Sequence, residues 1–248
     1  MQEQKVRYFL IDGIRGFAIV NMVIFHFLYD VFIVYGKNPM WYGKTAVYIW
    51  QQAICCTFIF ISGFVWSWGI EKNIRRGICF NIYGFAISLV TLIFIPSETI
   101  WFGILNFMGC AILIMVPLNK LLKYIPSMLG LIASFLLFIL CKHIQYGYIG
   151  IGDLFQIQVP TVLYSIKLLT PFGFPFPGFK SSDFFPLFPW MFLYLCGFWG
   201  SKVFMRYISW QNVACYKVPF LSMIGSRTIW IYLAHQPISM LICILLFN

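Results

Sequence analysis

The sequence predicts an all-α polytopic membrane bundle of about seven spans with a cytoplasmic N-terminus. Three observations lead there: composition, the lengths of the apolar runs and the placement of the basic residues. Hydrophobic residues make up 61% of the 248, charged residues only 10%, and mean hydropathy is +0.86. Soluble domains sit nearer about half apolar and about a quarter charged. Water-soluble globular and disordered classes are thereby excluded.

The runs fall at 9–34, 47–70, 77–96, 99–118, 124–141, 184–205 and 220–247. Each approaches the roughly 20 apolar residues that a spanning helix needs. The first is expected to be a retained span rather than a cleaved leader. It is long, carries Asp12, Arg15 and Asp30, and lacks a small-residue cleavage site. With no repeat, soluble domain or low-complexity tail in view, residues 1–248 read as one integral-membrane domain.

Orientation comes from lysine and arginine. With the N-terminus inside, the inner loops hold Lys5, Arg7, Arg15, Lys72, Arg75, Arg76, Lys120, Lys123, Lys202, Arg206, Lys217 and Arg227. The outer side holds only Lys37, Lys44, Lys142, Lys167 and Lys180. This asymmetry favours N-in and places 142–183 outside. The net charge of +10 is spread over loops without a dense basic tract. It therefore fits topology and anionic lipid, not nucleic acid. Trp41, Trp50, Trp68, Trp101 and Trp210 lie near span ends and read as interface anchors. The stretch 142–183, with Asp153, Asp183 and several prolines and glycines, is too polar and broken for a simple span. It reads as a surface loop, or as a segment whose part 154–169 lies in the interface or re-enters. The eight cysteines form no C-x-x-C pair and lie mostly in apolar runs, which suits packing rather than zinc or disulfides; no metal is expected.

The sharpest chemistry sits in the first span, I-D-G-I-R-G-F-A-I-V-N-M-V-I-F-H-F-L-Y-D. Asp12, Arg15, His26 and Asp30 are ionisable, and a charge at mid-bilayer costs about 2.5–3.5 kcal/mol on insertion scales. On a helix, with Arg15 at zero, Asp12 and Asp30 fall near about 60° and His26 near about 20°. All four share one stripe. His26 lies roughly 16–17 Å deeper than Arg15, and Asp30 is one turn beyond, within reach of the imidazole. Such a carboxylate would fix the ring tautomer and raise its basicity. Asp12 and Arg15 are spaced to pair. The bland reading is a polar ladder holding helices together. The last span echoes the pattern. Arg227 opens it, His235 lies roughly 12 Å deeper, and Gln236 and Pro237 follow. His235 and Gln236 are candidates for lining the cavity of His26, and Asn106 is a further mid-span polar candidate.

At these residues the chain resembles a bacterial family related to heparan-alpha-glucosaminide N-acetyltransferase. The wider group is the transmembrane acyltransferases, whose O-acyltransferase branch shows a similar R-x10-H spacing, matched here by Arg15 and His26. Support comes from F-G-I-L-N-F-M-G-C-A at 102–111, F-P-L-F-P-W-M-F-L-Y-L-C-G-F-W-G at 185–200 and I-Y-L-A-H-Q-P-I at 231–238. The resemblance implies transfer of an acetyl or short acyl group from cytosolic acyl-CoA, chiefly acetyl-CoA, to an extracytoplasmic acceptor. That acceptor is expected to be a glycan amine or hydroxyl. His26 with Asp30 would be the base. Arg15 and Asp12, with Arg227, Arg75 and Arg76, would hold the CoA, and His235, Gln236 and Asn106 would line the substrate cavity. A bacterial plasma membrane is the expected location, in contact with lipid, and a homo-oligomer is compatible with all of this. The chain is shorter than the lysosomal enzymes and is expected to lack their lumenal domain, so heparan itself does not carry over. A proton-coupled transporter or a non-catalytic membrane protein would show a similar ionisable stripe; the lack of an inverted repeat counts against common carriers.

Overall fold

The computed structural model describes residues 8–152, 154–207 and 213–247. Lys5, Arg7, Asp153 and Trp210, used in the sequence reading, lie outside the described residues. The described chain is helical, with one small hairpin. Helix α1 (Phe9–Tyr29) runs into a single π turn, Asp30–Val34. Helix α2 (Thr45–Phe64) is followed by a 3₁₀ turn, Trp66–Gly69, that leads into α3 (Ile70–Phe94). Then come α4 (Ile104–Leu122) and α5 (Ser127–Cys141). Strands β1 (Tyr148–Ile151) and β2 (Phe155–Gln158) pair antiparallel. The short α6 (Val162–Ser165), then α7 (Leu187–Tyr207), α8 (Pro219–Gly225) and α9 (Thr228–Phe247) complete the order.

Among the described residues, six helices are long and apolar enough to cross a membrane: Phe9–Val34, Thr45–Phe64, Trp66–Phe94, Ile104–Leu122, Ser127–Tyr146 and Thr228–Phe247. The sequence predicted seven. The difference is run 184–205, which forms α7. Its tryptophans, Tyr194, Pro189, Ser201 and Lys202 dilute the apolar character, and its backbone is extended at Phe188. Two further boundaries differ. The charged stretch Glu71–Arg76, expected as an inner loop, forms the first turns of α3. The run 220–247 is interrupted at Ser226–Arg227, where Ser226 Oγ donates to the Met223 carbonyl and Thr228 Oγ1 to that of Gly225. Trp41 is a core residue rather than an interface anchor. It is buried against Phe25 and Phe32, in a cluster with Ile19, Met22, Val47 and Ile54. Trp50 also turns inward, packing on Phe25 and donating to Asn21 Oδ1 at 3.1 Å.

The chain forms two compact units, 1–61 with 207–248, and 62–206. In the first, α1 packs on α8 and α9. Glycine makes the α1–α8 approach possible. A Cβ at Gly16 would overlap the Leu221 carbonyl, and one at Gly225 would overlap the Asp12 carbonyl. Small residues let membrane helices come this close, and dispersion then acts between backbones. Ser222 Oγ closes the seam with a 3.0 Å bond to the Phe9 carbonyl. In the second unit α3 packs on α4 through Gly77, Gly84 and Gly109. Trp66, buried, donates to the Ile112 carbonyl at 3.2 Å. The chain before α4 is tied to the chain before α7. Asp183 Oδ2 accepts from the Ile104 N–H at 3.3 Å, Ser181 Oγ accepts from the Trp101 N–H at 2.9 Å, and Ser182 Oγ donates to Glu98 at 2.7 Å.

Two outcomes follow. Gly225→Ala drives a methyl into the α1 backbone, so it lowers the melting temperature in detergent, overpacking costing about 1–3 kcal/mol. Gly43→Ala, where a Cβ meets nothing nearer than 4.0 Å, leaves it unchanged. Burial pushes the Asp183 carboxyl up from 3.8 to about 6, partly offset by the Ile104 N–H. Between those values the folded chain holds a proton that the unfolded chain has released. Asp183 therefore makes stability fall as pH rises through that window and adds no slope above it. A melting series against pH shows this component, and Asp183→Asn removes it.

Candidate functional site

The site is built on α1 and α9 of the first unit. Near the start of α1, Arg15 Nη1 pairs with Asp12 Oδ1 at 3.6 Å, the spacing of three residues placing them on one helical face. Asp12 is buried and Arg15 partly so. Further along α1, partly buried His26 meets His235 of α9. Their ring centroids are 5.0 Å apart at an interplanar angle of 62°, and the Phe25 ring lies 5.9 Å from that of His26.

One turn beyond, Asp30 is fully buried where the helix opens into the π turn. Its Oδ1 accepts from Gln236 Nε2 at 2.9 Å, and its Oδ2 accepts from Ser239 Oγ. Gln236 and Ser239 stand three residues apart on α9 and so share a face. A buried carboxylate demands such donors. The sequence reading made Asp30 the orienting partner of His26. In the structure the oxygens of that carboxylate accept from α9, and the imidazole of His26 meets a second imidazole.

His235 has its own constraint. Its Nδ1 lies 2.5 Å from the Tyr232 carbonyl, one turn back on α9. A carbonyl only accepts, so the proton sits on Nδ1 and Nε2 keeps the lone pair. This sets the tautomer from within one helix. Pro237, two residues on, cannot donate to the carbonyl four residues back, which loosens the ladder here.

The structure thus joins Asp12 with Arg15, His26 with His235, and Asp30 with Gln236. Arg227 is exposed at the break between α8 and α9. Arg75, Arg76 and Asn106 belong to the second unit. Arg75 is exposed on α3, and Arg76 Nη1 donates to Asn73 Oδ1 at 3.2 Å. Asn106 of α4 is buried against Gly84, its carboxamide without a hydrogen-bond partner among the described residues. Sequence reasoning missed Ser239, although it lies four residues after His235 on the same face. It also missed the glycines of the α1–α8 seam, whose signal was the G-I-R-G spacing in the first motif.

Comparison with the curated proteins and with the solved structures returns no match. Over residues 7–237 the chain matches the family model described as heparan-alpha-glucosaminide N-acetyltransferase, catalytic. That match includes His26, Asp30, His235 and most of the sequence, and the chain belongs to this family of membrane acetyltransferases.

Proposed function

We propose that this membrane acetyltransferase takes an acetyl, or another short acyl, group from cytosolic acyl-CoA and delivers it to an extracytoplasmic glycan amine or hydroxyl. The observation that carries the mechanism is the contact of His26 with His235 across α1 and α9. His26 removes the proton of the acceptor N–H or O–H as its lone pair attacks the thioester carbonyl. The carbon–sulfur bond then breaks, and the CoA sulfur leaves with the electron pair and takes up a proton. His235, held as the Nδ1–H tautomer, turns Nε2 into a second proton acceptor beside His26. Two imidazoles so placed can share the proton through the reaction. Asp30 acts as a positioning residue: it ties Gln236 and Ser239 to α1 and so holds His235 in register with His26.

Arg15, balanced by Asp12, and Arg227 offer cationic groups to CoA phosphates on the cytoplasmic side, with Arg75 and Arg76 as further candidates. Asn106 is a candidate for the substrate cavity. The lysine and arginine asymmetry supports the N-in orientation, and the proposed location is a bacterial plasma membrane. The family match runs across both compact units, which supports reading 1–248 as one acyltransferase domain.

The test uses purified protein in nanodiscs with acetyl-labelled acetyl-CoA and a panel of amino sugars. His26→Ala lowers transfer by about 10²- to 10⁴-fold while the melting temperature holds, the range of a lost general base. Full transfer by a folded His26→Ala protein removes His26 from the mechanism. In Asp30→Asn, the amide oxygen keeps one of the two bonds from α9 while its NH₂ faces the other partner, so one hydroxyl or amide proton of Ser239 or Gln236 loses its acceptor. Thermal stability then falls by about 1–3 kcal/mol, the cost of unmatched buried polar groups, and transfer falls with it. Ser239→Ala, which removes one donor only, loses less of both.

A further inference from the structure

The hairpin β1–β2 is two-faced in an unusual sense. Residues paired directly across an antiparallel ladder share a face. The pairs Ile149↔Ile157 and Ile151↔Phe155 make one face wholly apolar, while Tyr148↔Gln158 and Gly150↔Gln156 make the other. All four residues of β2 are exposed, so the apolar side is left open along with the polar one. Ile151 is 46% exposed, Phe155 51%, Ile157 55% and Leu154, in the turn, 87%. Antiparallel sheets that meet water on one face turn polar residues to it. A contiguous apolar patch on a hairpin, an element with little stability of its own, marks contact with something other than water.

The neighbouring helix indicates what that is. Helix α5 and the turns after it form one apolar span of 20 residues, Ser127–Tyr146, which rises about 30 Å at ~1.5 Å per residue. A bilayer hydrocarbon core is about 30 Å thick. The span therefore ends at the membrane surface with Gly147 alone between it and β1, which brings the hairpin against the bilayer. β1 packs on α5, whose Leu129, Ile132, Phe135 and Leu136 are themselves about half exposed, as lipid-facing residues are. Lys142 and the 70%-exposed Tyr146 lie between the helix and the hairpin. A cation and an aromatic ring close to the end of a span are the pattern of the membrane–water interface. The geometry points to the β1–β2 hairpin as a lipid-anchoring element. Its face of Ile149, Ile151, Phe155 and Ile157 rests on the bilayer at the C-terminal end of α5, with Leu154 as the inserted tip, and Gln156 and Gln158 face water.

The full chain, reconstituted into vesicles of equal phosphatidylethanolamine and phosphatidylglycerol, tests this with a photoreactive side chain. Phe155→p-benzoylphenylalanine is expected to yield, on illumination, a protein heavier by one phospholipid. The yield should exceed by several-fold that of Gln156→p-benzoylphenylalanine on the opposite face. Leu154→p-benzoylphenylalanine gives the same lipid adduct and serves should the change at 155 disturb the strand. Equal yields on the two faces, or cross-linking of Phe155→p-benzoylphenylalanine to a second copy of the chain in place of lipid, overturn the proposal.

Discussion

A carboxylate with no access to water organises the first unit. Asp30 sits at the end of a long apolar helix, where an unmatched charge or hydroxyl costs several kcal/mol. Its oxygens are met by Gln236 and Ser239, both on the last helix. Because those donors share one face of α9, satisfying them fixes that helix in rotation as well as in height. His235 is the residue just before Gln236, and its ring arrives beside that of His26 as a consequence. The two-histidine contact is therefore downstream of the Asp30 bonds.

The other end of α1 is held by a different force. No strong polar group is needed where Gly16 and Gly225 let two backbones touch. Close approach gains many small dispersion terms and leaves no space for lipid chains. Ser222 adds one hydrogen bond across the seam. Helix α1 is thus held by shape at its start and by hydrogen bonds at its end. The Asp12–Arg15 pair lies within the glycine seam, and His26 lies between that seam and Asp30. A site whose ionisable groups must keep their spacing gains from a helix fixed at both ends.

Fold class was legible because it rests on quantities that a sequence carries: the length of apolar runs and the rarity of charge. The stripe of Asp12, Arg15, His26 and Asp30 was legible for the same reason, since helical geometry alone sets which residues share a face. What remained hidden depends on partners. Spacing showed that Asp30 could reach His26, but not that two donors from a helix some two hundred residues later would take its carboxylate. Trp41 reads as an anchor by position, yet lies in a core made by Phe25 and Phe32. The charged start of α3 reads as a loop because charge, not helix propensity, dominates a hydropathy profile. Helix α7 shows the reverse weakness. Its aromatic, proline and lysine content lowers its apolarity although its helix is as long as its neighbours. The two-faced hairpin was hidden because a period of two over four residues is too short to stand out amid prolines and glycines.

In the proposed mechanism His26 and His235 act as one proton-handling unit made by the joining of α1 and α9. A double-mutant cycle on acetyl transfer addresses it directly, comparing His26→Ala, His235→Ala and the double variant at equal folded concentration. Groups that work as a unit are strongly non-additive. The double variant is expected to be no slower than the slower single variant. Rate losses that multiply, leaving the double variant slower by the product of the two single effects, would show two independent histidines and contradict it.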